Sequence, residues 1–390
     1  MVTHKANLGN SHPIFDYGIA IEKPFKMDSK EQKFVYYHAG GKRGSRPVLT
    51  GADAKDTFES IPVINVEGMF SDSLEERKKV AAEVGKAARE VGFFYAQNHS
   101  VKDETIDKTF KSVEKFFALP LEDKMEVHIH KSSVVRGYEP LFETKLDPNS
   151  KGGKYYMKEA FTMGDDAHEP EQNAPFTPGP EHPKKNAWPS ALPEFRPAMY
   201  EYYNDIHAFS KKLMRIFALA LDLPETYFDN ATKFPMTGIR ILHYPPQEAK
   251  GAEDIGLGAH TDYDLFTLVC QGQVAALEVL NANGIWVPAP PKPRTFVVNI
   301  GDFLQRITNH QFKSTVHRVV NKSGEQRYSM PFFFSPDRDA TLAVLPTCRK
   351  EGEEYEEVNA GEYFRQRLLA ARYQHPAAKL EQSNVVSATA

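Results

Sequence analysis

From Thr237 to Phe334 the apolar residues come in short runs broken by turn signals, among them Asn281-Ala282-Asn283-Gly284 and Ser323-Gly324. Short apolar runs bounded by such turns read as strands, and a succession of them predicts an antiparallel double-sheet jelly roll. Upstream the period is that of a helix. Leu74, Val80, Val84 and Ala88 fall on one side of a segment that starts near Ser73. A second helix is expected from Glu104 through Phe117, ending before Leu119-Pro120, and a long third one from about Pro193 to Leu221. The stretch from Asp147 to Pro193 is rich in Pro, Gly, Asn and charge, which predicts surface loops interrupted by a short segment near Phe161. Glu362 through Tyr373 reads as a closing helix, whereas residues 1–58 are polar with no sustained period and read as an irregular arm. The pattern divides the chain into this arm, a helical and strand region at 59–236, a jelly-roll core with its closing helix at 237–375, and a tail at 376–390. No linker separates these parts, so the expected class is α+β with one principal core.

Composition narrows the picture a little. A balance of 48 basic against 52 acidic residues leaves a net charge of −4 without a basic block, and nothing in that favours nucleic acid. Two cysteines, Cys270 and Cys348, are too few for a disulfide framework, which points to a reducing compartment. No apolar run is long enough to suggest a membrane span, and the first residues lack a secretory apolar core, so the cytosol is expected. Nothing in the chain sets an oligomeric state.

The candidate chemistry lies in the strand-rich part. His260 and Asp262 stand two apart beside the apolar run Leu265-Phe266-Thr267-Leu268-Val269, and on one strand both would leave the same face. His317 follows far enough along for strands to return and deliver a third donor from the opposite wall of a barrel. Two imidazoles and one carboxylate on one side of an octahedral metal leave its other side open, the arrangement of non-haem Fe(II) oxygenases. Beyond His317, Arg327 and Ser329 share a face of an otherwise apolar strand, Arg327-Tyr328-Ser329-Met330-Pro331-Phe332-Phe333-Phe334. A guanidinium placed there calls for an anionic partner. Each element alone is a weak signal; the conjunction carries the reading. Phe333 has the parity of Arg327 and could line a substrate pocket, and Arg240 has the parity of Tyr244 and could meet an acidic substrate.

With these residues in place the chain resembles the isopenicillin N synthase-like family of Fe(II)/2-oxoglutarate-dependent oxygenases, from about residue 61 to about residue 375. The landmarks run in order: Ile61-Pro62-Val63-Ile64, Gly92-Phe93-Phe94-Tyr95 with Asn98-His99, Arg136-Gly137-Tyr138, Lys158-Glu159-Ala160-Phe161, Asn186-Ala187-Trp188-Pro189, Tyr244-Pro245-Pro246, His260-Thr261-Asp262, Asn299-Ile300-Gly301-Asp302, Thr308-Asn309, His317-Arg318-Val319 and Arg327-Tyr328-Ser329. Departures are Asn65 for the usual Asp, Ser100 and His310 for the usual Gly, and Leu242 where many plant members carry Asn. The resemblance implies a double-stranded β-helix core flanked by helices. It implies Fe(II) on His260, Asp262 and His317, with O2 and 2-oxoglutarate as cosubstrates. Arg327, Ser329 and Tyr244 would receive the far carboxylate of 2-oxoglutarate, and the oxidised substrate would be a small organic molecule, a secondary metabolite for choice. An Fe(II) oxidase of the same fold that does without 2-oxoglutarate, a zinc-type hydrolase and a non-catalytic jelly-roll binding protein are the alternatives.

Overall fold

The computed structural model describes residues 32–132, 135–143, 157–164, 186–246 and 255–371, with isolated positions beyond. Residues 1–31, most of the 147–193 loop stretch including Tyr155-Tyr156, and nearly all of the 376–390 tail lie outside them. Residues from Phe34 onward form one compact unit.

Two sheets carry the fold. Their strands are β1 (Phe34–Ala39), β2 (Lys42–Pro47), β3 (Val63–Asn65), β4 (Phe93–Gln97), β5 (Gly137–Glu139), β6 (Glu159–Gly164), β7 (Pro235–Tyr244) and β8 (Ile255–His260). Then follow β9 (Phe266–Gln271), β10 (Leu277–Leu280), β11 (Trp286–Pro288), β12 (Thr295–Ile300), β13 (His317–Val320) and β14 (Arg327–Asp337), with the small pair β15 (Thr341–Leu342) and β16 (Val358–Asn359). The larger sheet runs β3-β4-β12-β9-β14-β7-β6-β5 and the smaller β11-β10-β13-β8-β1-β2. Strands from before and after residue 236 thus share one sheet, so the helical and strand region is built into the barrel rather than laid beside it.

Alternation along each strand sorts residues to two sides. Phe266, Leu268 and Cys270 of β9 and Met330, Phe332 and Phe334 of β14 belong to the core shared with the helices. Leu242, Tyr244, Val297 and Phe93 belong instead to a core shared with Val279, Val287 and Val319 of the smaller sheet. The helices that cover the larger sheet are α1 (Leu74–Glu90), α2 (Asp103–Phe117) and, after the short α3 (Leu121–Glu126), the long α4 (Phe195–Ala220), which packs on both α1 and α2. Phe116 of α2 stacks on Phe195 of α4 with ring centroids 4.7 Å apart, a pairing worth about 0.5–1.5 kcal/mol beyond area burial. Trp188 joins the same cluster against Phe161, Phe195 and Tyr200, so it anchors a loop to the core. A short α5 (Asp302–Ile307) follows β12, and α6 (Ala360–Ala371) is the last described helix.

One expectation fails here. Residues 34–47 are not irregular: β1 and β2 form a hairpin that joins the smaller sheet, with His38 of β1 paired to His260 of β8. A local signal was present in β1, where Phe34-Val35-Tyr36-Tyr37 is aromatic and β-branched and Gly40-Gly41 marks a turn, but the polar β2 and the polar flanks masked it, and a hairpin partly exposed on both faces carries no strong apolar alternation. His310 has a left-handed backbone, φ 62°, the conformation that favours the glycine usual there.

On α4, His207 stacks on Tyr203, and burial pushes its imidazole pKa down to about 4. The folded protein therefore holds fewer protons than the unfolded chain between about pH 4 and 6.5, and its stability falls as the pH drops through that window. His207→Leu removes this contribution. The stability advantage of the unsubstituted protein over the variant, followed by thermal melts from pH 7.5 to 4.5, is expected to shrink steadily toward low pH.

Candidate active site

His260 is the last residue of β8, and Asp262 lies in the segment that links β8 to β9. The two do not share a strand face, as the two-residue spacing had suggested; the chain leaves the sheet at His260. This connecting segment is held by backbone bonds. Asp302 N–H donates to the Asp262 carbonyl (2.8 Å), Gly301 N–H to that of Leu265 (2.9 Å) and Phe303 N–H to that of Asp264 (3.1 Å). A Cβ on Gly301 would come within 2.1 Å of the Asp264 carbonyl oxygen, so only glycine allows the two backbones this close. His317 opens β13 and pairs directly with His260. The third donor therefore comes from the neighbouring strand of the same sheet rather than from the opposite wall.

The donor atoms of His260, Asp262 and His317 lie within 4.8 Å of one another. His260 Nε2 and His317 Nε2 stand 3.6 Å and 3.8 Å from Asp262 Oδ1. Each imidazole turns its other nitrogen to a backbone carbonyl, His260 Nδ1 to Gly258 (2.7 Å) and His317 Nδ1 to Thr315 (3.2 Å). With Nδ1 donating, the Nε2 lone pairs face the common centre. The other carboxylate oxygen, Asp262 Oδ2, accepts from Thr267 Oγ1 (2.6 Å) and Asn299 Nδ2 (2.8 Å), which leaves Oδ1 free to face the imidazoles. Thr267 and Asn299 were not expected in the site by role; Thr267 could have been found from its place in the run after Asp262.

Electrostatics suit a cation. Burial favours the neutral acid at Asp262, yet the charges and hydrogen bonding of His317 and His260 outweigh it and hold the carboxyl well below the usual range. Burial opposes charge on His260 too, but the bond to Asp262 raises its pKa. For His317, burial and the neighbouring His260 prevail and push it down to about 4. Asp264 shows the converse. Burial, with the Asp262 charge close by, raises its pKa well above the carboxylate range.

On the facing sheet, Arg327 is 2% exposed and Ser329 equally buried. Arg327 Nη1 donates to Ser329 Oγ (3.1 Å), its Nε to the Val274 carbonyl (3.2 Å), and its guanidinium lies 5.0 Å from the Tyr244 ring centre. Among the described residues no carboxylate stands within ion-pair distance of it. The Tyr244 hydroxyl is buried and, among the described residues, has no hydrogen-bond partner. Arg327 and Tyr244 are partners across β14 and β7. Tyr244 fits between the sheets because β8 carries Gly256 there, where a Cβ would come within 2.8 Å of the ring. A buried guanidinium without a counter-charge and an orphaned hydroxyl next to it are what a small dianion would satisfy. The residues present thus fit both an open-sided metal and an acidic cosubstrate.

Phe333 pairs with Thr267, whose hydroxyl bonds Asp262, so it faces the metal end of the inner wall. Arg240 is on the same wall but is engaged, by Glu139 Oε1 (2.9 Å) and Thr162 Oγ1 (3.0 Å). Lys158 lies 3.4 Å from the same Glu139 oxygen. His243 points to the helix side, bonding Glu159 Oε1 (2.7 Å) and stacking on Tyr328, and His99 stacks on Phe296; both are structural. A second cluster, His128, His130 and Glu143, was not foreseen. Its glutamate bonds both rings (3.0 and 2.7 Å), and His128 Nδ1 accepts from the His130 amide. Turning the His128 Nε2 lone pair to a metal would set Nδ1–H against that amide N–H, so the cluster reads as a satisfied hydrogen-bond group.

A double-stranded β-helix that sets two imidazoles and a carboxylate opposite a buried, uncompensated arginine defines the class of non-haem metal oxygenases. Comparison with known proteins agrees. Residues 61–191 match the family described as non-haem dioxygenase in morphine synthesis N-terminal, and residues 236–336 match the 2OG-Fe(II) oxygenase superfamily. The chain is 36% identical over 303 residues to the 2-oxoglutarate-Fe(II) type oxidoreductase hxnY of Emericella nidulans, covering 75% of this chain and 84% of that one. It is 34% identical over 335 residues to homoarginine-6-hydroxylase 2-ODD-233 of Oryza sativa subsp. japonica, covering 80% and 97%. Among solved structures, a full-length Neurospora crassa protein in complex with α-ketoglutarate and thymine superimposes with a TM-score of 0.70 at 28% identity, over 80% of this chain and 96% of that one. The chain belongs to the isopenicillin N synthase-like Fe(II)/2-oxoglutarate oxygenase family, and it is a dioxygenase that uses Fe(II), 2-oxoglutarate and O2. No helix among the described residues is long and apolar enough to cross a membrane.

Proposed function

We propose that His260, Asp262 and His317 hold the iron, that Arg327, Ser329 and Tyr244 hold the far carboxylate of 2-oxoglutarate, and that the wall bearing Phe333 and Arg240 receives a small organic substrate. The observation that carries this reading is the buried Arg327, without a carboxylate partner among the described residues, on the inner wall that faces the three donors. When bound, the iron would supply the redox chemistry by which O2 oxidises both 2-oxoglutarate, to succinate and CO2, and a C–H bond of the substrate. The protein's part is placement. Thr267 and Asn299 keep Asp262 from using both oxygens on the metal, so that one side remains open. Arg327 offers a planar fork, with Ser329 and Tyr244 supplying hydroxyl donors beside it.

The substrate wall is mixed. Phe333 and Leu242 offer apolar surface, whereas Glu139, Lys158, Arg240 and Thr162 place charge and hydrogen bonding on the same side of the larger sheet. Such a wall suits a small metabolite with a polar end and an oxidisable carbon, a class that includes thymine and homoarginine, named for the relatives above. A secondary metabolite of that kind is the substrate we favour, oxidised by hydroxylation, desaturation, cyclisation or ring rearrangement. The unpaired, buried thiols of Cys270 and Cys348 support placement in the cytosol.

Anaerobic absorbance titration of the metal-free protein with Fe(II) and then 2-oxoglutarate tests the assignment. A weak visible charge-transfer band is expected once both are present, followed by succinate release in air. Iron binding without a band would overturn the assignment of Arg327, Ser329 and Tyr244 to 2-oxoglutarate. Absence of iron binding would remove the assignment altogether.

A further inference from the structure

Beside the Asp262 segment, one buried carboxylate gathers hydrogen bonds from four parts of the chain. Asp302 Oδ2 accepts from the Gly40 amide (3.1 Å), from Thr261 Oγ1 (3.1 Å) and from Arg367 Nη2 (2.9 Å), and its Oδ1 accepts from Ser314 Oγ (2.7 Å). Its own amide holds the Asp262 carbonyl at 2.8 Å. Thr261 stands between His260 and Asp262, and Ser314 shortly precedes His317, so the bonds reach the backbone segments of all three metal-side donors. The other two arms come from far away. Gly40 is the tip of the β1-β2 hairpin, and its amide is shared with Thr261 Oγ1 (3.2 Å), while Thr261 N–H donates to the His38 carbonyl (3.1 Å). Arg367 is on α6, whose Phe364 and Tyr363 pack on Tyr263 and Phe303 at either side of the same segment. Hairpin tip and helix touch, for a Cβ on Gly41 would lie 2.2 Å from Arg367 Nη1. Both Gly40 and Arg367 lie outside the two matched family ranges.

We propose that Asp302 is a positioning residue through which the N-terminal hairpin and α6 clamp the His260–Asp262 segment and the approach to His317 in iron-binding geometry. The inference rests on the iron assignment above. An ionised carboxylate takes several donors at once, and with four of them anchored on separate elements it removes the freedom of the connecting segment that a metal site would otherwise have to restrain on binding. The hairpin and α6 are on this view parts of the active site, although neither brings a group to the metal.

The test compares Fe(II) binding with 2-oxoglutarate binding in the full-length protein. Arg367→Met unlinks α6, Gly40→Val disturbs the hairpin tip through its left-handed φ of 57° while its Cβ meets nothing within 4 Å, and Asp302→Asn removes the charge at the node. Each variant is expected to weaken anaerobic Fe(II) binding by about tenfold or more. At saturating iron its apparent 2-oxoglutarate affinity, read from the charge-transfer band, should stay within about twofold, because Arg327, Ser329 and Tyr244 are untouched. Arg367→Lys should recover part of the iron affinity. Unchanged iron affinity in Arg367→Met and Gly40→Val overturns the proposal, and so does a parallel loss of iron and 2-oxoglutarate affinity that follows the fall in Tm. If the unsubstituted protein binds no iron, the iron assignment fails, an outcome distinct from both.

Discussion

Arg327→Ala is expected to raise the 2-oxoglutarate concentration needed for half-formation of the charge-transfer band by about two to three orders of magnitude. Removing one partner of a buried ion pair typically costs ~3–5 kcal/mol, and tenfold in binding corresponds to ~1.4 kcal/mol. The same substitution should behave oppositely in the free protein. There the guanidinium is buried without a carboxylate partner among the described residues, with the Ser329 hydroxyl and the Val274 carbonyl as acceptors and the Tyr244 ring beside it, and burial lowers its pKa. Deleting a charge so poorly compensated is expected to leave the Tm of the metal-free protein unchanged or raised, minus the cost of the space left behind. Added 2-oxoglutarate and iron should then stabilise the unsubstituted protein but not the variant at equal concentration. Arg327→Lys should recover little, since an ammonium cannot reproduce the fork that reaches Ser329 and the Val274 carbonyl together. A variant with ordinary 2-oxoglutarate affinity would show that the dianion binds elsewhere.

Asp262→Asn is expected to weaken iron binding by more than about a hundredfold, the upper end of what loss of an outer partner costs, and to bring succinate formation below detection. Two effects add. The neutral amide loses its attraction for a divalent cation in a site where Asp262 is held strongly ionised. Its geometry is also worse, because with the carbonyl oxygen toward the imidazoles the amide NH2 faces the Asn299 NH2 at 2.8 Å, while the Thr267 hydroxyl at 2.6 Å must turn from donor to acceptor. Rotating it the other way presents NH2 to the metal instead. The fold itself should survive, since the Asp262 carbonyl and its bond to the Asp302 amide are kept. Bound iron measured by a chelator assay, together with circular dichroism, separates loss of the metal from loss of the fold.

Much of the candidate site was legible from residue types and spacing. The parity of Arg327, Ser329 and Phe333 along β14 holds in the structure, because alternation is a local property of an extended chain. The helices at 74–90, 103–117 and 195–220 lie close to their expected bounds, since each had a strong apolar period to follow. The spacing of His260 and Asp262 misled, because a strand that ends at the first of them cannot pass its face to the second. Arg240 kept its parity, yet Glu139 and Thr162, from strands distant in sequence, take up its donors.

The sequence by itself therefore determined the class of fold through local periodicity, the family through its resemblance in a long ordered series of landmarks, and a candidate set of side chains for a divalent metal and a dianion through what each group can donate or accept. Only the tertiary structure decided that His317 is the strand neighbour of His260, that the N-terminal hairpin pairs with β8, and that Asp302 joins that hairpin to α6 beside the three candidate donors. These are outcomes of long-range strand pairing and packing. They are settled by how distant segments bury their backbone hydrogen bonds and charges together, which no local pattern records.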